Sequence, residues 1–113
     1  MELKNKVVVV TGSSRGFGFA IAESLLEAGA TVAVTGRSQQ AVDNSLASLQ
    51  SKGRVSGFVM DVREEEQVYK LVDDVIKEFG QIDIWINNAG YSNAAGMMLD
   101  TNQQDALDMF LSN

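Results

Sequence analysis

The residue types best suited to chemistry lie in the segment Thr11 to Gly18, which we call the glycine turn and which reads Thr-Gly-Ser-Ser-Arg-Gly-Phe-Gly. Glycines let the chain reverse tightly and let its backbone approach a phosphate closely. The backbone amides at the start of a following helix would face that anion, and the helix dipole would favour it. The pattern therefore predicts a pyrophosphate-binding turn, and a tight turn that binds no ligand is the alternative.

The spacing of the three glycines separates this turn from other phosphate-binding loops. A nucleoside-triphosphate loop needs a Lys directly after its last glycine, whereas Phe19 follows Gly18. The order Gly-x-x-x-Gly-x-Gly also differs from the Gly-x-Gly-x-x-Gly of many dehydrogenases. The sequence thus excludes the triphosphate loop.

Composition removes several other classes of site and partner. The 113 residues include no His and no Cys, so a Ser-His-Asp triad, a thiolate nucleophile and a cysteine-ligated zinc are excluded. The net charge of −6 argues against nucleic acid as a partner. The longest aliphatic run, Val7 to Val10, is too short to span a bilayer or to form a signal peptide. We therefore expect a cytoplasmic protein without a membrane partner.

Four short apolar runs alternate with helical patterns along the chain. The predicted strands are Val7–Val10, Thr31–Thr35, Val55–Met60 and Ile82–Ile86. The first helix is predicted to bury a face that contains Phe17, Ile21 and Leu25 and to end at Gly29, and Ser38 is predicted to cap the second helix. The segment 91–101 is predicted to be a loop, and a last helix is predicted to begin near Asn102. This β-α-β-α-β-α-β-α order predicts an α/β fold, a Rossmann-type doubly wound parallel sheet with ligands at the carboxyl ends of its strands.

Three motifs fall, in order, at the ends of strands one, three and four: Thr-Gly-x-x-x-Gly-x-Gly at 11–18, Asp61-Val62, and Asn-Asn-Ala-Gly at 87–90. Together they resemble the short-chain dehydrogenase/reductase family, and the match looks close to bacterial-type 3-oxoacyl reductases of that family. The resemblance implies an oxidoreductase that transfers a hydride between a nicotinamide dinucleotide and a small carbonyl or alcohol. It also implies that residues 1–113 are a single dinucleotide-binding domain, incomplete on its C-terminal side.

The resemblance implies roles for the matching residues. The pyrophosphate and the adenosine ribose would be held by Gly12, Ser14, Arg15, Gly16, Phe17 and Gly18. Asp61 would accept a hydrogen bond from the adenine amino group and Val62 would pack on the ring, although Asp61 could also be a helix N-cap. Asn88, Ala89 and Gly90 would line the ribose and hold the central sheet, the alternative being a simple turn after a strand.

The end of the second strand indicates which nicotinamide cofactor is bound. NAD-binding proteins of this fold place Asp or Glu there to bind the ribose 2′-hydroxyl, whereas this chain has Gly36 followed by Arg37. Arg37 could pair with a 2′-phosphate, and Arg15 could supply a second cation. We therefore predict NADP(H) over NAD(H), the alternative being that both arginines are solvated surface residues.

Catalytic residues of the family are mostly missing from these 113 residues. The family uses a Tyr with a Lys four residues later, but Tyr69 is followed at that distance by Asp73 and Tyr91 by Ala95. Asn113 matches the position of the supporting Asn of the family, or is simply a frayed terminus. We expect the chain by itself to be inactive. A non-catalytic dinucleotide-binding module and an inactive truncated product are the alternatives to an oxidoreductase.

The fourth predicted strand raises the question of self-association. In the family, further strands would cover the apolar edge of Ile82–Ile86. An uncovered apolar edge tends to pair with another chain. We therefore expect the 113-residue chain, made alone, to be marginally stable or to form homo-oligomers.

Overall fold

Strands and helices alternate along the chain. The computed structural model describes residues 3–88 and the short strand at 96–97. The strands are β1 (Val7–Val10), β2 (Thr31–Gly36), β3 (Val55–Val59), β4 (Ile84–Asn87) and β5 (Gly96–Met97). The helices are α1 (Gly16–Glu27), α2 (Gln39–Leu49) and α3 (Glu65–Phe79), with a 3₁₀ turn at Gln50–Lys52 after α2.

The described strands form one sheet in the order β3-β2-β1-β4-β5. β1 lies between β2 and β4 and is parallel to both, so that Val8 is opposite Val32 on one side and Ile84 on the other. β3 is parallel to β2 on the far side. The predicted parallel sheet with alternating helices is therefore confirmed, and the first four strands have the predicted order along the chain.

Three of the predicted strands have different bounds: β2 extends to Gly36, β3 ends at Val59, and β4 spans Ile84–Asn87 instead of Ile82–Ile86. β4 begins at Ile84 rather than Ile82, because Asp83 is already engaged with Val7: its amide donates to the Val7 carbonyl and its carboxylate accepts from the Val7 amide, both at 2.8 Å. Residues 96–97, predicted as loop, pair antiparallel with the end of β4. A two-residue strand depends on backbone hydrogen bonds, so side-chain alternation could not reveal it. The other residues of the predicted loop and the predicted last helix lie outside the described residues.

Alternate residues of β1 supply the apolar cores on the two faces of the sheet. Val7 and Val9 pack with Trp85 and the apolar face of α3. Val8 and Val10 pack on the opposite face with Ala22 and other residues of α1. All four valines are at most 4% exposed, and burying each contributes about 1.5 kcal/mol or more. This double burial fixes the carboxyl end of β1, from which the glycine turn leaves.

The ends of the helices follow the predicted capping pattern, but one face of α1 does not. Ser38 Oγ accepts from the Ala41 amide at 3.1 Å, which confirms the N-cap of α2. Gly29, with φ of 97°, follows the end of α1 as predicted.

Phe17 was predicted to be buried, yet it is 73% exposed. The buried stripe of α1 instead starts at Gly18, and Phe17 consequently faces outwards.

None of the helices within residues 3–88 is long and apolar enough to cross a membrane.

Candidate functional site

The glycine turn is fastened to the end of β2 by a pair of hydroxyl side chains. Thr35 Oγ1 accepts from the Gly12 amide at 2.9 Å, and the Thr35 carbonyl accepts from the Ser13 amide at 2.9 Å. Ser13 Oγ in turn accepts from the Thr35 amide at 2.9 Å and donates to the Val10 carbonyl at 2.7 Å. Both side chains are buried. Sequence reasoning missed them, although buried hydroxyls at the ends of neighbouring strands are a usable signal because they need partners.

The other side of the turn is fastened to the end of β4. The Thr11 amide donates to the Ile86 carbonyl at 3.0 Å, and Thr11 Oγ1 accepts from the Asn88 amide at 2.9 Å. Asn88 Nδ2 donates to the Gly12 carbonyl at 3.1 Å. The structure therefore places Asn88 as a link between the turn and the sheet. Ala89 and Gly90 lie outside the described residues, as does Asn113.

Two glycines of the turn have different spatial requirements. A Cβ on Gly18 would collide with the Gly12 carbonyl oxygen and would lie 2.5 Å from Asn88 Nδ2. Gly18 therefore lets α1 pack directly against the turn. Gly16 has a φ of 66°, and a Cβ there would meet nothing within 4 Å in the described part of the chain. The space beside Gly16 is open to a ligand.

The N-terminus of α1 has no side-chain cap. Arg15 is the N-cap residue but makes no capping hydrogen bond, in contrast to Ser38 at the start of α2. The Phe19 amide donates to the Arg15 carbonyl at 3.3 Å. The amides of residues 16–18 precede that bond, in the first turn, where a helix leaves its N–H groups without intrahelical partners. These amides can therefore donate to an anion.

A cavity of about 350 Å³ opens at the carboxyl ends of β1, β2 and β3. Its lining consists of Gly12, Ser14, Arg15, Gly36, Arg37, Met60, Asp61, Val62 and Arg63. The structure thus brings together six of the residues singled out by sequence: Gly12, Ser14, Arg15, Arg37, Asp61 and Val62. Gly16, Phe17 and Gly18 follow the lining residues at the start of α1, and Asn88 supports the turn from β4.

The cavity lining is rich in positive charge. Arg15 and Arg37 are exposed and form no ion pair with any residue that the structure describes. Arg63, which sequence reasoning missed, forms an ion pair with Asp61 at 2.8 Å. The hydrogen bonds from the Arg63 side chain and amide lower the pKa of Asp61 to about 2, and the charge of Arg37 contributes further. Asp61 is therefore ionised at neutral pH.

Asp61 is not the helix N-cap that was considered as its alternative role. The N-cap of α3 is Glu64, whose side chain makes no capping bond. Asp61 instead accepts from the Arg63 amide at 2.9 Å, and its carbonyl accepts from the Glu64 amide at 3.0 Å. It therefore shapes the turn before α3 while its carboxylate stays at the cavity.

Gly36 occupies the position at which an NAD-binding protein of this fold would have an acidic residue. A Cβ there would lie 3.0 Å from both Cβ and Oγ of Ser14 and 3.2 Å from a methyl group of Val42. Such contacts are too close for a side chain unless its neighbours move. A side chain at residue 36 would therefore require Ser14 and Val42 to shift by a few tenths of an ångström.

The residues present fit a dinucleotide. Unpartnered first-turn amides and the open space beside Gly16 suit a pyrophosphate, and the cationic lining suits further phosphate. A carboxylate acceptor and an apolar neighbour, Asp61 and Val62, lie across the same cavity and suit a base. Within the described part of the chain, no group of three His, Cys, Asp or Glu side chains is placed to hold a metal ion.

Comparison with known proteins agrees with this geometry. The sequence profile of the short chain dehydrogenases matches residues 6–113. The chain belongs to the short-chain dehydrogenase family. Members of this family bind nicotinamide dinucleotides.

Two relatives of this short-chain dehydrogenase chain carry different names. It is 40% identical over 97 residues to a 3alpha-hydroxysteroid dehydrogenase of Mediterraneibacter gnavus, covering 83% of this chain and 39% of that protein. It is 42% identical over 103 residues to human dehydrogenase/reductase SDR family member 4, and the match covers 90% of this chain and 37% of that protein. The chain therefore spans about two fifths of the length of these curated relatives.

A solved short-chain dehydrogenase structure supports the fold. The 2-keto-3-deoxy-D-gluconate dehydrogenase of Streptococcus agalactiae superposes with a TM-score of 0.75 at 35% identity, covering 81% of this chain and 35% of that one. The two relatives and the solved structure have three different names, and none of these names mentions a 3-oxoacyl reductase. The resemblance to 3-oxoacyl reductases in particular stays a prediction.

Proposed function

We propose that this chain binds NADP(H), and that the protein to which this dinucleotide-binding unit belongs transfers a hydride between NADP(H) and a small carbonyl compound or secondary alcohol. The observation that carries the proposal is the cavity itself, because it combines uncapped helix amides, two arginines without an ion pair among the described residues, and an ionised carboxylate. The nicotinamide, when bound, supplies or accepts the hydride. The described residues bind and orient the cofactor.

The proposed arrangement gives each group of residues one task. The amides of residues 16–18 donate to the pyrophosphate. Asp61, ionised at neutral pH, accepts from the adenine amino group, and Val62 packs against the ring. The hydroxyl links through Ser13 and Thr35 hold the turn in place, so the amides need little rearrangement before they bind.

Preference for NADP(H) rests on residues 36 and 37. Because residue 36 is a glycine, the site lacks at that position the acidic side chain that would bind a 2′-hydroxyl and repel a 2′-phosphate. Arg37 lies next to it on the cavity wall. One charge-assisted hydrogen bond from its guanidinium would contribute about 1.5–3 kcal/mol. This free energy corresponds to about a ten- to hundredfold preference.

Dissociation constants for NADPH and NADH, measured by nicotinamide fluorescence, test this preference. We expect NADPH to bind at least about tenfold more tightly, and we expect Arg37→Asp to abolish or invert the difference. Arg54→Asp is the matched control, because Arg54 lies over the Phe79 ring and is not part of the cavity lining. Equal affinities in the wild type, or an unchanged preference in Arg37→Asp, would refute the proposal.

We also propose that this chain binds the cofactor without turning over a substrate by itself. Of its two tyrosines, Tyr69 lies on α3, is 43% exposed and is followed four residues later by Asp73 rather than Lys. Oxidation of NADPH by the 113-residue chain with simple ketones should stay at the background rate. Saturable oxidation that depends on the ketone would contradict this proposal and leave the cofactor proposal intact.

A further inference from the structure

Arg63 engages both oxygens of the Asp61 carboxylate. Its Nε donates to Oδ1 at 3.0 Å and its Nη2 donates to Oδ2 at 2.8 Å. Its backbone amide donates to Oδ1 as well, at 2.9 Å. Bidentate pairing of this kind fixes the orientation of a carboxylate and satisfies much of its capacity to accept. Among the ion pairs of the described residues, this is the one at the cavity.

Arg37 lies on the wall of the same cavity and interacts electrostatically with the same carboxylate. Its positive charge adds to the effect of Arg63 on the pKa of Asp61, although it makes no hydrogen bond with Asp61. Asp61 is the one carboxylate in the cavity lining, and the other charged lining residues are arginines. An Asp61 released by Arg63 would therefore have Arg37 as a competing partner, because Arg37 is exposed and exposed side chains change rotamer rapidly.

We propose, on the basis of the NADP(H) site proposed above, that Arg63 is a specificity-determining positioning residue: by occupying the Asp61 carboxylate, it leaves Arg37 available to a phosphate on the adenosine ribose. Arg63 acts through Asp61 and Arg37. The preference for a 2′-phosphate thus depends on a residue that has no contact of its own with that phosphate.

The test uses two adenosine fragments and isothermal calorimetry. Adenosine 2′,5′-bisphosphate and adenosine 5′-monophosphate differ in the 2′-phosphate. The affinity of the bisphosphate divided by that of the monophosphate therefore reports on recognition of the 2′-phosphate. A change in adenine binding affects both fragments equally and cancels in this ratio. We expect Arg63→Gln to lower the ratio about tenfold, as Arg37 turns to Asp61. Asp61→Asn should keep the wild-type ratio. The double variant Arg63→Gln/Asp61→Asn should regain it, because no carboxylate is left to attract Arg37.

The double variant separates this inference from simpler roles of Arg63. If Arg63 contacted the phosphate directly, the ratio would stay low in the double variant, and the inference would be wrong. Arg54→Gln, remote from the cavity, is the control and should leave the ratio unchanged. Thermal unfolding of each variant checks folding. If Arg63→Gln does not fold, Arg63→Lys replaces it. We then expect a fall in the ratio smaller than about tenfold, because lysine lacks the planar fork that pairs with both carboxylate oxygens.

Failure of this inference is distinguishable from failure of the proposed function. A wild-type ratio near one would refute the NADP(H) preference and this inference together. A wild-type preference that persists unchanged in Arg63→Gln, or in Arg63→Lys where that variant replaces it, would refute the role of Arg63 and leave the cofactor proposal standing.

Discussion

Alanine at Gly18 should mainly lower stability, whereas alanine at Gly16 should mainly weaken binding of the cofactor. At Gly18 the new Cβ would collide with the Gly12 carbonyl and displace the Asn88 side chain, which donates to that carbonyl. Overpacking of this kind costs about 1–3 kcal/mol, and the lost hydrogen bond adds about 0.5–1.5 kcal/mol. The free energy of unfolding should therefore fall by about 2–4 kcal/mol, with a fall in Tm of at least about 8 °C.

At Gly16 the Cβ meets open space, so the cost is confined to the backbone. A non-glycine residue at φ of 66° loses about 1–2 kcal/mol. The methyl group would, however, stand where the structure leaves room beside the first-turn amides, and NADPH affinity should fall about tenfold or more. Gly29→Ala is the matched control, because Gly29 also has a positive φ, its Cβ would make ordinary 3.6 Å contacts with Lys4, and it lies at the other end of α1.

Thermal unfolding by circular dichroism and NADPH fluorescence titration of the three variants form the assay. Gly16→Ala and Gly29→Ala should melt at similar temperatures, but only Gly16→Ala should lose affinity. A Gly18→Ala protein that melts within about 2 °C of the wild type, or a Gly16→Ala protein with wild-type affinity, would refute the reasoning about the turn.

Three further predictions concern other parts of the molecule. Because the pKa of Asp61 is lowered from 3.8 to about 2, the stabilisation by its ion pair should be fully present above about pH 4 and lost as the pH falls through 2. A carboxyl-carbon NMR titration should therefore give a midpoint near 2, and one closer to 3.8 in Arg63→Gln, whereas equal midpoints would contradict the pairing. Ser38→Ala should lower the free energy of unfolding by about 1 kcal/mol in chemical denaturation, since it removes the cap of α2; no change would show that water replaces the cap. Because β5 pairs with only the last two residues of β4 among the described residues, the 113-residue chain alone should self-associate through that edge on size exclusion, and a sharply melting monomer would contradict that expectation.

The fold could be predicted from the sequence where a strand is buried on both faces of the sheet, because such a strand is a continuous run of apolar residues. Val7–Val10 is apolar throughout because both faces of β1 are covered, and its bounds were predicted correctly. Gly29 and Ser38 marked helix ends because each residue type has a specific backbone task there. Phe17 was misplaced because periodicity counts apolar residues and does not register that a buried glycine, Gly18, sets the rotation of α1.

The glycine motif of the candidate site could be predicted from the sequence, whereas the side-chain hydrogen bonds that hold the site together could not. Glycine spacing revealed the turn, since the need for close approach restricts the residue type. The contacts that hold the turn, through Ser13 and Thr35, join residues far apart in the sequence, and small hydroxyl residues are common in loops. Arg63 was missed because its pairing with Asp61 depends on the turn before α3, whose backbone places the two side chains on one side.

The most direct test of the central claim is an ¹H–¹⁵N NMR titration of the chain with NADP⁺. We predict that the largest shifts occur at the amides of residues 16–18 and at Arg37 and Val62, with smaller changes on α3 beyond its first turn. Unchanged amides of residues 16–18 at saturating NADP⁺, or shifts confined to residues away from the carboxyl ends of β1, β2 and β3, would contradict the proposed binding site.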